Sequence, residues 1–210
     1  MIKEITKIVI TGGPCGGKTT ASERIREFFS KKGYTVVFIP ETATELILGG
    51  IAPWTTDTNQ TFQHTLLMLQ LEKEKYFTHG ARLLKKNEKL LIVCDRGALD
   101  NKAYTTGDEF SNILTLTQLT EEELLARYDA VFHLTTAAKG AEEFYTFSNN
   151  NARYETIDEA RALDDRLIDA WKNHPNYFII DNSTDFEGKL NTLIDKISSF
   201  LKTKKEAADE

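Results

Sequence analysis

The sequence predicts an α/β chain in which a parallel β-sheet is covered by helices on both faces. Short runs of β-branched residues alternate with longer stretches of helical periodicity. The run at residues 89–94 is almost uninterruptedly apolar, as strands buried on both faces are. A glycine-rich turn joins the first run to the first helix. Strand, crossover helix and strand follow one another in a right-handed sense and place successive strands in one sheet.

The chain has 210 residues, 40% of them hydrophobic, which suits one domain over 1–203 with a sizeable core. Residues 5–10 read as the first strand, and the spacing of Ala21, Ile25, Phe28 and Phe29 predicts a helix that stops at Gly33. Thr35–Ile39 is a second strand closed by Pro40. Residues 59–86 carry Phe62, Leu66, Leu69, Tyr76, Phe77 and Leu83 with few breakers, so they form one long helix or two in succession. The run 89–94 is the third strand and Ala130–Leu134 the fourth. Thr120 with Glu123, and Thr156 with Glu159, are capping boxes that open helices, the second of them halted by His174-Pro175. Tyr177–Ile180 makes a fifth strand, and Phe186 through Leu201 an amphipathic final helix. Residues 204–210 form a polar tail expected to fray. The stretch 137–155 is polar, aromatic and asparagine-rich, fits no core pattern, and reads as a lid.

Net charge is −6 with lysine and arginine dispersed among acids, so no one-sided basic surface for nucleic acid is present. Cys15 and Cys94 form neither a CxxC pair nor a disulfide framework, which points to a reducing compartment. No leader segment and no apolar run near the ~20 residues that a bilayer requires is found, and the cytoplasm is the expected location. The sequence carries no signal for an oligomeric state.

Gly12-Gly13-Pro14-Cys15-Gly16-Gly17-Lys18-Thr19 satisfies GxxxxGK(S/T) between a predicted strand and a predicted helix, the context that gives the motif meaning. Backbone N–H groups of such a loop converge on phosphates at a helix N-terminus, with Thr20 completing the cradle. Lys18 neutralises β- and γ-oxygens, and the Thr19 hydroxyl ligates Mg²⁺. The expected ligand is therefore Mg²⁺ with ATP or GTP.

What happens to the triphosphate is decided at the other strand ends, where open α/β sheets bind ligands. The third strand ends in Asp95-Arg96-Gly97: the carboxylate can hold Mg²⁺ or accept a proton, and the arginine can pair with phosphate. The second ends in Pro40-Glu41-Thr42-Ala43, where Glu41 is either a general base for an attacking hydroxyl or a helix cap.

These residues carry a resemblance. The loop, Pro40-Glu41, Phe62-Gln63, Asp95-Arg96 and Arg153 look like the nucleoside and nucleotide kinase branch of P-loop proteins. Gly12-Gly13-Pro14, Glu41-Thr42-Ala43, Asp95-Arg96-Gly97 leading to Asp100 and Tyr104, and Asn150-Asn151 through Arg153 to Ile180-Asp181-Asn182 resemble, more closely, the "AAA domain" family related to the ribosylnicotinamide kinase domain of NadR. That family also contains a GTP-binding protein needed for photoreceptor channel translocation. The resemblance implies a three-layer α/β/α P-loop NTPase fold with a five-stranded parallel sheet of order 2-3-1-4-5. It implies that Glu41 faces the phosphoryl acceptor, that Gln63 and Asp100 contact it, and that Arg96 meets phosphate. Arg153 would be the lid arginine at the transferring group and Asn182 a neighbour of the base.

Kinase lids offer several closely spaced arginines, whereas Lys139 and Arg153 stand far apart here and Arg161 and Arg166 already belong to the next helix. An AAA+ motor needs an acidic pair after the third strand, but Arg96 follows Asp95. The guanine signature NKxD of Ras-like GTPases does not occur. Trp54, Phe62 and Tyr76 are expected in the core rather than stacked on a ligand ring. The four histidines show no metal-ligand spacing. Two functions follow: a phosphotransferase acting on a small-molecule acceptor, favoured by Glu41 and Gln63, or a nucleotide-dependent switch with a protein or lipid partner, favoured by the sparse lid cations.

Overall fold

The computed structural model describes residues 4–84, 89–145 and 156–209. Five strands, β1 (Glu4–Thr11), β2 (Thr35–Ile39), β3 (Lys89–Asp95), β4 (Ala130–Leu134) and β5 (Tyr177–Ile180), form one sheet of order β2-β3-β1-β4-β5. All four pairings are parallel, with Val9 opposite Cys94 and Ile10 opposite Phe132. The order is the one the family resemblance implies, and β2, β4 and β5 have the bounds read from the sequence.

Alternation along the central strands assigns each face its helices. Ile8, Ile10, Leu91, Val93 and Phe132 join Ile25 and Phe29 of α1 (Lys18–Lys31) and Leu193 and Ile197 of α8 (Phe186–Asp209). Val9, Leu90, Ile92, Cys94 and Val131 face the other way, onto Leu67 of α3 (Asn59–Leu83), Ile113 of α5 (Gly107–Thr117) and Trp171 of α7 (Ile157–Trp171). The result is two apolar layers about one sheet.

Helix α1 ends where the sequence places its stop: Gly33 adopts φ 83°, which an L side chain resists, and the Tyr34 N–H reaches back to the Phe29 carbonyl at 3.0 Å. The stretch read as one long helix or two is the single helix α3, which ends at Leu83, and residues 85 and 86 lie outside the described residues. Its buried face carries Phe62, Gln63, Leu66, Leu67, Gln70 and Glu74, however, and Trp54 and Tyr76 are 70% and 66% exposed. The core expectation thus holds for Phe62 and fails for Trp54 and Tyr76. Tyr76 falls on the outer side because polar Gln70 and Glu74 occupy the inner stripe.

Three helices have no counterpart in the sequence reading: α2 (Thr42–Leu48), α4 (Asp100–Ala103) and α5. Helix α5 opens on a capping box of Thr106 and Glu109, a readable signal masked by Gly107 in the first turn. The boxes at Thr120 and Thr156 open α6 (Glu121–Leu125) and α7 as expected. The tail is helical: α8 runs to Asp209, where the sequence predicted fraying. Lys204 fastens it, donating to the Ile5 carbonyl at 3.4 Å and the Thr6 hydroxyl at 3.2 Å and pairing with Asp129 at 2.8 Å. The stretch read as a lid begins inside the fold, since Ala137 and Ala138 are buried, and a 3₁₀ turn follows at Glu142–Phe144. Its remainder, with Asn150, Asn151 and Arg153, lies outside the described residues.

Candidate active site

The glycine-rich loop spans the gap between Thr11 at the end of β1 and Lys18 at the start of α1. Gly12 takes φ 136°, and a Cβ there would stand 2.0 Å from the Leu134 carbonyl oxygen; at Gly16 it would stand 2.7 Å from the same oxygen. Both residues must therefore be glycine for the loop to lie flush against the end of β4. Gly17, at φ 89°, is the N-cap of α1, and neither a side-chain cap nor an acidic residue occupies that first turn. Thr19 and Thr20 are exposed beside it, and a helix start of this kind is suited to an anion. The Lys18 ammonium folds over the loop, donating to the carbonyls of Gly12 at 3.0 Å and Gly13 at 3.2 Å.

The back of the loop is fastened from two sides. The Gly13 N–H donates to Asp164 Oδ1 at 3.0 Å, and the Thr136 hydroxyl donates to the Pro14 carbonyl at 2.5 Å. Asp164, fully buried on α7, also receives the Thr136 N–H at 3.2 Å, contacts His133 Nε2 at 2.9 Å and receives the Lys139 ammonium at 2.9 Å. Burial alone would raise the Asp164 carboxyl, but His133 and Lys139 outweigh it and hold the pKa down at about 2. Sequence reasoning missed this residue. The signal was there: Asp164 stands between Ala160, Leu167 and Trp171 on the stripe that α7 buries, where an unpaired carboxylate is too costly.

On the other side of β1, Glu41 and Arg96 meet. Glu41 is the N-cap of α2 yet makes no capping bond with its side chain; its carboxylate receives Arg96 Nε and the Thr44 hydroxyl, the latter at 2.6 Å. Burial opposes its charge, but Arg96, Thr44 and Lys18 together bring its pKa to about 2. Arg96 sits at φ 70° in the turn after β3 and also donates from Nη1 to Asp100 at 3.3 Å. Asp95, just before it, has a buried Oδ1 with no hydrogen-bond partner among the described residues, and burial raises its carboxyl although Lys18 pulls the other way. Helix α3 ties both turns together: Gln70 donates to the Arg96 carbonyl at 3.3 Å and Lys73 to the Pro40 carbonyl at 2.7 Å. Gln63, two turns earlier on that face, is buried, and its Oε1 has no hydrogen-bond partner among the described residues.

Two predicted contacts are occupied from within. Asp100 accepts the Thr11 hydroxyl at 2.8 Å, Trp171 Nε1 at 2.6 Å and Arg96, so its carboxylate braces the site from behind. Asn182 donates from Nδ2 to the carbonyls of Thr136 at 2.8 Å and Lys139 at 2.7 Å, while its Oδ1 receives the buried Lys189 ammonium at 2.8 Å. Burial lowers the Lys189 pKa to about 8 despite Asp164 and Asp181. Arg153 lies outside the described residues, and Lys139 pairs with Asp164 and Asp165.

The AAA domain family matches residues 7–189. No curated protein matches the sequence. Among solved structures, a deoxyadenosine kinase from M. mycoides, determined with the products dCMP and a flexible dCDP, superimposes at TM-score 0.61 with 16% identity. The match covers 92% of this chain and 100% of the kinase chain, and shows that the two share a fold. No helix among the described residues is long and apolar enough to cross a membrane. With the phosphate loop in place at the end of β1, the 2-3-1-4-5 parallel sheet around it and a family match over most of its length, this chain belongs to the AAA domain family of P-loop proteins.

Proposed function

We propose that the chain is a Mg²⁺-dependent phosphotransferase that binds ATP or GTP at Gly12 to Thr20 and passes the γ-phosphoryl group to a hydroxyl of a nucleoside- or nucleotide-like acceptor. The observation that carries this reading is the Glu41–Arg96 pair, held at the same sheet edge as the phosphate loop by the ends of β2 and β3. The unpartnered Oε1 of Gln63 supports an acceptor pocket, because a buried carbonyl oxygen is costly unless something donates to it. The shared fold with a deoxyadenosine kinase supports the class of acceptor.

Thr19 and the unpartnered Asp95 Oδ1 fit a hard cation with oxygen ligands, and they would hold Mg²⁺, directly or through water. When bound, Mg²⁺ supplies charge neutralisation for the phosphates. The chain's own groups do the rest. Amides of the loop and the Lys18 ammonium hold the β- and γ-phosphates. Arg96 and Glu41 align the acceptor, whose hydroxyl oxygen forms the new bond to γ-phosphorus as the bond to the bridging oxygen breaks. A carboxylate with a pKa of about 2 is a weak base, so Glu41 orients the hydroxyl and receives its proton only as the loose transition state collapses. Arg153, ahead of α7, is the lid cation of this scheme.

Transfer of γ-phosphate from ATP and from GTP across a panel of nucleosides, nucleotides and vitamins tests the reading. Glu41→Gln is expected to abolish transfer and leave triphosphate affinity nearly intact. Tight nucleotide binding with no phosphorylated acceptor anywhere in the panel would refute the enzyme and leave the switch.

A further inference from the structure

Asp164 gathers donors from two parts of the chain far apart in sequence: Gly13 in the phosphate loop, and His133, Thr136 and Lys139 at and just beyond the end of β4. We propose that Asp164 is a positioning residue for nucleotide binding, locking the phosphate loop to the segment after β4 through the Gly13 amide. The inference rests on nucleotide binding at this loop and names what holds the loop in shape.

Gly13 is the pivot of this arrangement. Its N–H is fixed by Asp164, and its carbonyl receives the Lys18 ammonium at 3.2 Å and the Gly16 N–H at 3.3 Å. The next carbonyl, that of Pro14, is fixed by Thr136, whose own N–H is held by Asp164. Any rotation about Gly13 therefore swings Lys18 and Gly16 as well, and those are groups that must converge on phosphate. The contact also needs glycine at 13, since a Cβ there would stand 2.8 Å from Asp164 Oδ1. Helix α7 is a firm mount for the carboxylate. Its far end donates Trp171 Nε1 to Asp100 at 2.6 Å, and Arg161 Nε donates to the Ala138 carbonyl at 2.7 Å. The loop is thus referenced to a helix that lies directly after the stretch read as a lid.

The adjacent Asp165 supplies the control: it pairs with Lys139 at 2.7 Å but is exposed and bonds to nothing in the loop. Asp164→Asn, Asp164→Ala and Asp165→Asn are each titrated with MgATP and MgGTP by calorimetry. Gly13 amide exchange is followed by NMR without nucleotide. Exchanging a charge-assisted bond for a neutral one is expected to raise the Kd of Asp164→Asn about fivefold, and loss of the acceptor in Asp164→Ala about tenfold or more. Gly13 exchange should quicken in both while strand amides keep their protection, a pattern that general destabilisation does not produce. Asp165→Asn should match the parent chain in both measurements.

If Asp164→Ala fails to fold, Asp164→Asn decides alone. Affinity within about twofold of the parent in folded Asp164→Asn, or an unchanged Gly13 amide, overturns the proposal while the nucleotide reading stands. A parent chain that binds neither triphosphate overturns the nucleotide reading, and the proposal with it.

Discussion

Replacing Asp100 by asparagine separates a residue that braces the site from one that touches substrate. Its carboxylate is 3% exposed and accepts from Thr11 Oγ1 at 2.8 Å on both oxygens, from Trp171 Nε1 at 2.6 Å and from Arg96 Nη1 at 3.3 Å. An amide offers one acceptor oxygen. With that oxygen toward Trp171, the new NH₂ confronts Arg96; with the amide flipped, it confronts the indole N–H. Either way one buried donor loses its acceptor, at about 1–3 kcal/mol. Arg96 keeps Glu41, so the remaining charge imbalance costs less than the roughly 3–5 kcal/mol of a fully broken buried pair. The sum is about 3 kcal/mol. With a urea m-value of about 2 kcal/mol/M, the unfolding midpoint should fall by about 1.5 M, as measured by circular dichroism with the slope unchanged. A loss below about 1 kcal/mol accompanied by weaker acceptor binding would refute the bracing role.

Three further outcomes are expected. Gly12→Ala must push a Cβ against the Leu134 carbonyl at φ 136°, and should cost more than about 2 kcal/mol together with nucleotide affinity. Gly33→Ala, at positive φ in open space, should cost only about 1 kcal/mol, and equal melting shifts for the two would contradict the packing argument. Burial drives the Cys94 thiol well above its usual pKa, so at pH 8 iodoacetamide should label Cys15 alone in the native chain and both cysteines in denaturant; peptide mapping that finds Cys94 modified natively would count against it. Lys189, at about 8, gives up its proton in the fold while the unfolded chain holds it to about 10.4, so the unfolded state binds more protons across that window and stability rises with pH there. The stability of the parent relative to Lys189→Met should therefore climb from pH 8 to pH 10, and a flat difference would sink the assignment.

Features with local or periodic causes are legible in the sequence alone. The phosphate loop, the strand bounds of β2, β4 and β5, and two capping boxes all announce themselves through spacing within a few residues. Glu41 and Arg96 were each readable as strand-end residues, but their pairing was not, because it depends on β2 lying beside β3. The same holds for Asp100, whose three donors come from β1, the β3 turn and α7. Asn182 was placed beside the base by resemblance, while its amide is occupied by the backbone after β4. The long apolar pattern of α3 misled for a different reason. Glu74 is buried because Tyr128 donates to it at 2.6 Å and Arg127 at 3.0 Å, and those partners arrive from a distant part of the chain, leaving Tyr76 outside.

Gln70 and Lys73 lie one turn apart on α3, and each grips the backbone of a different strand-end turn. The spacing of the two turns that carry Glu41 and Arg96 is therefore gauged by a single rod, in the way that two marks on one ruler cannot drift apart. Any shift of α3 along its axis would therefore carry the turns that bear Glu41 and Arg96 together.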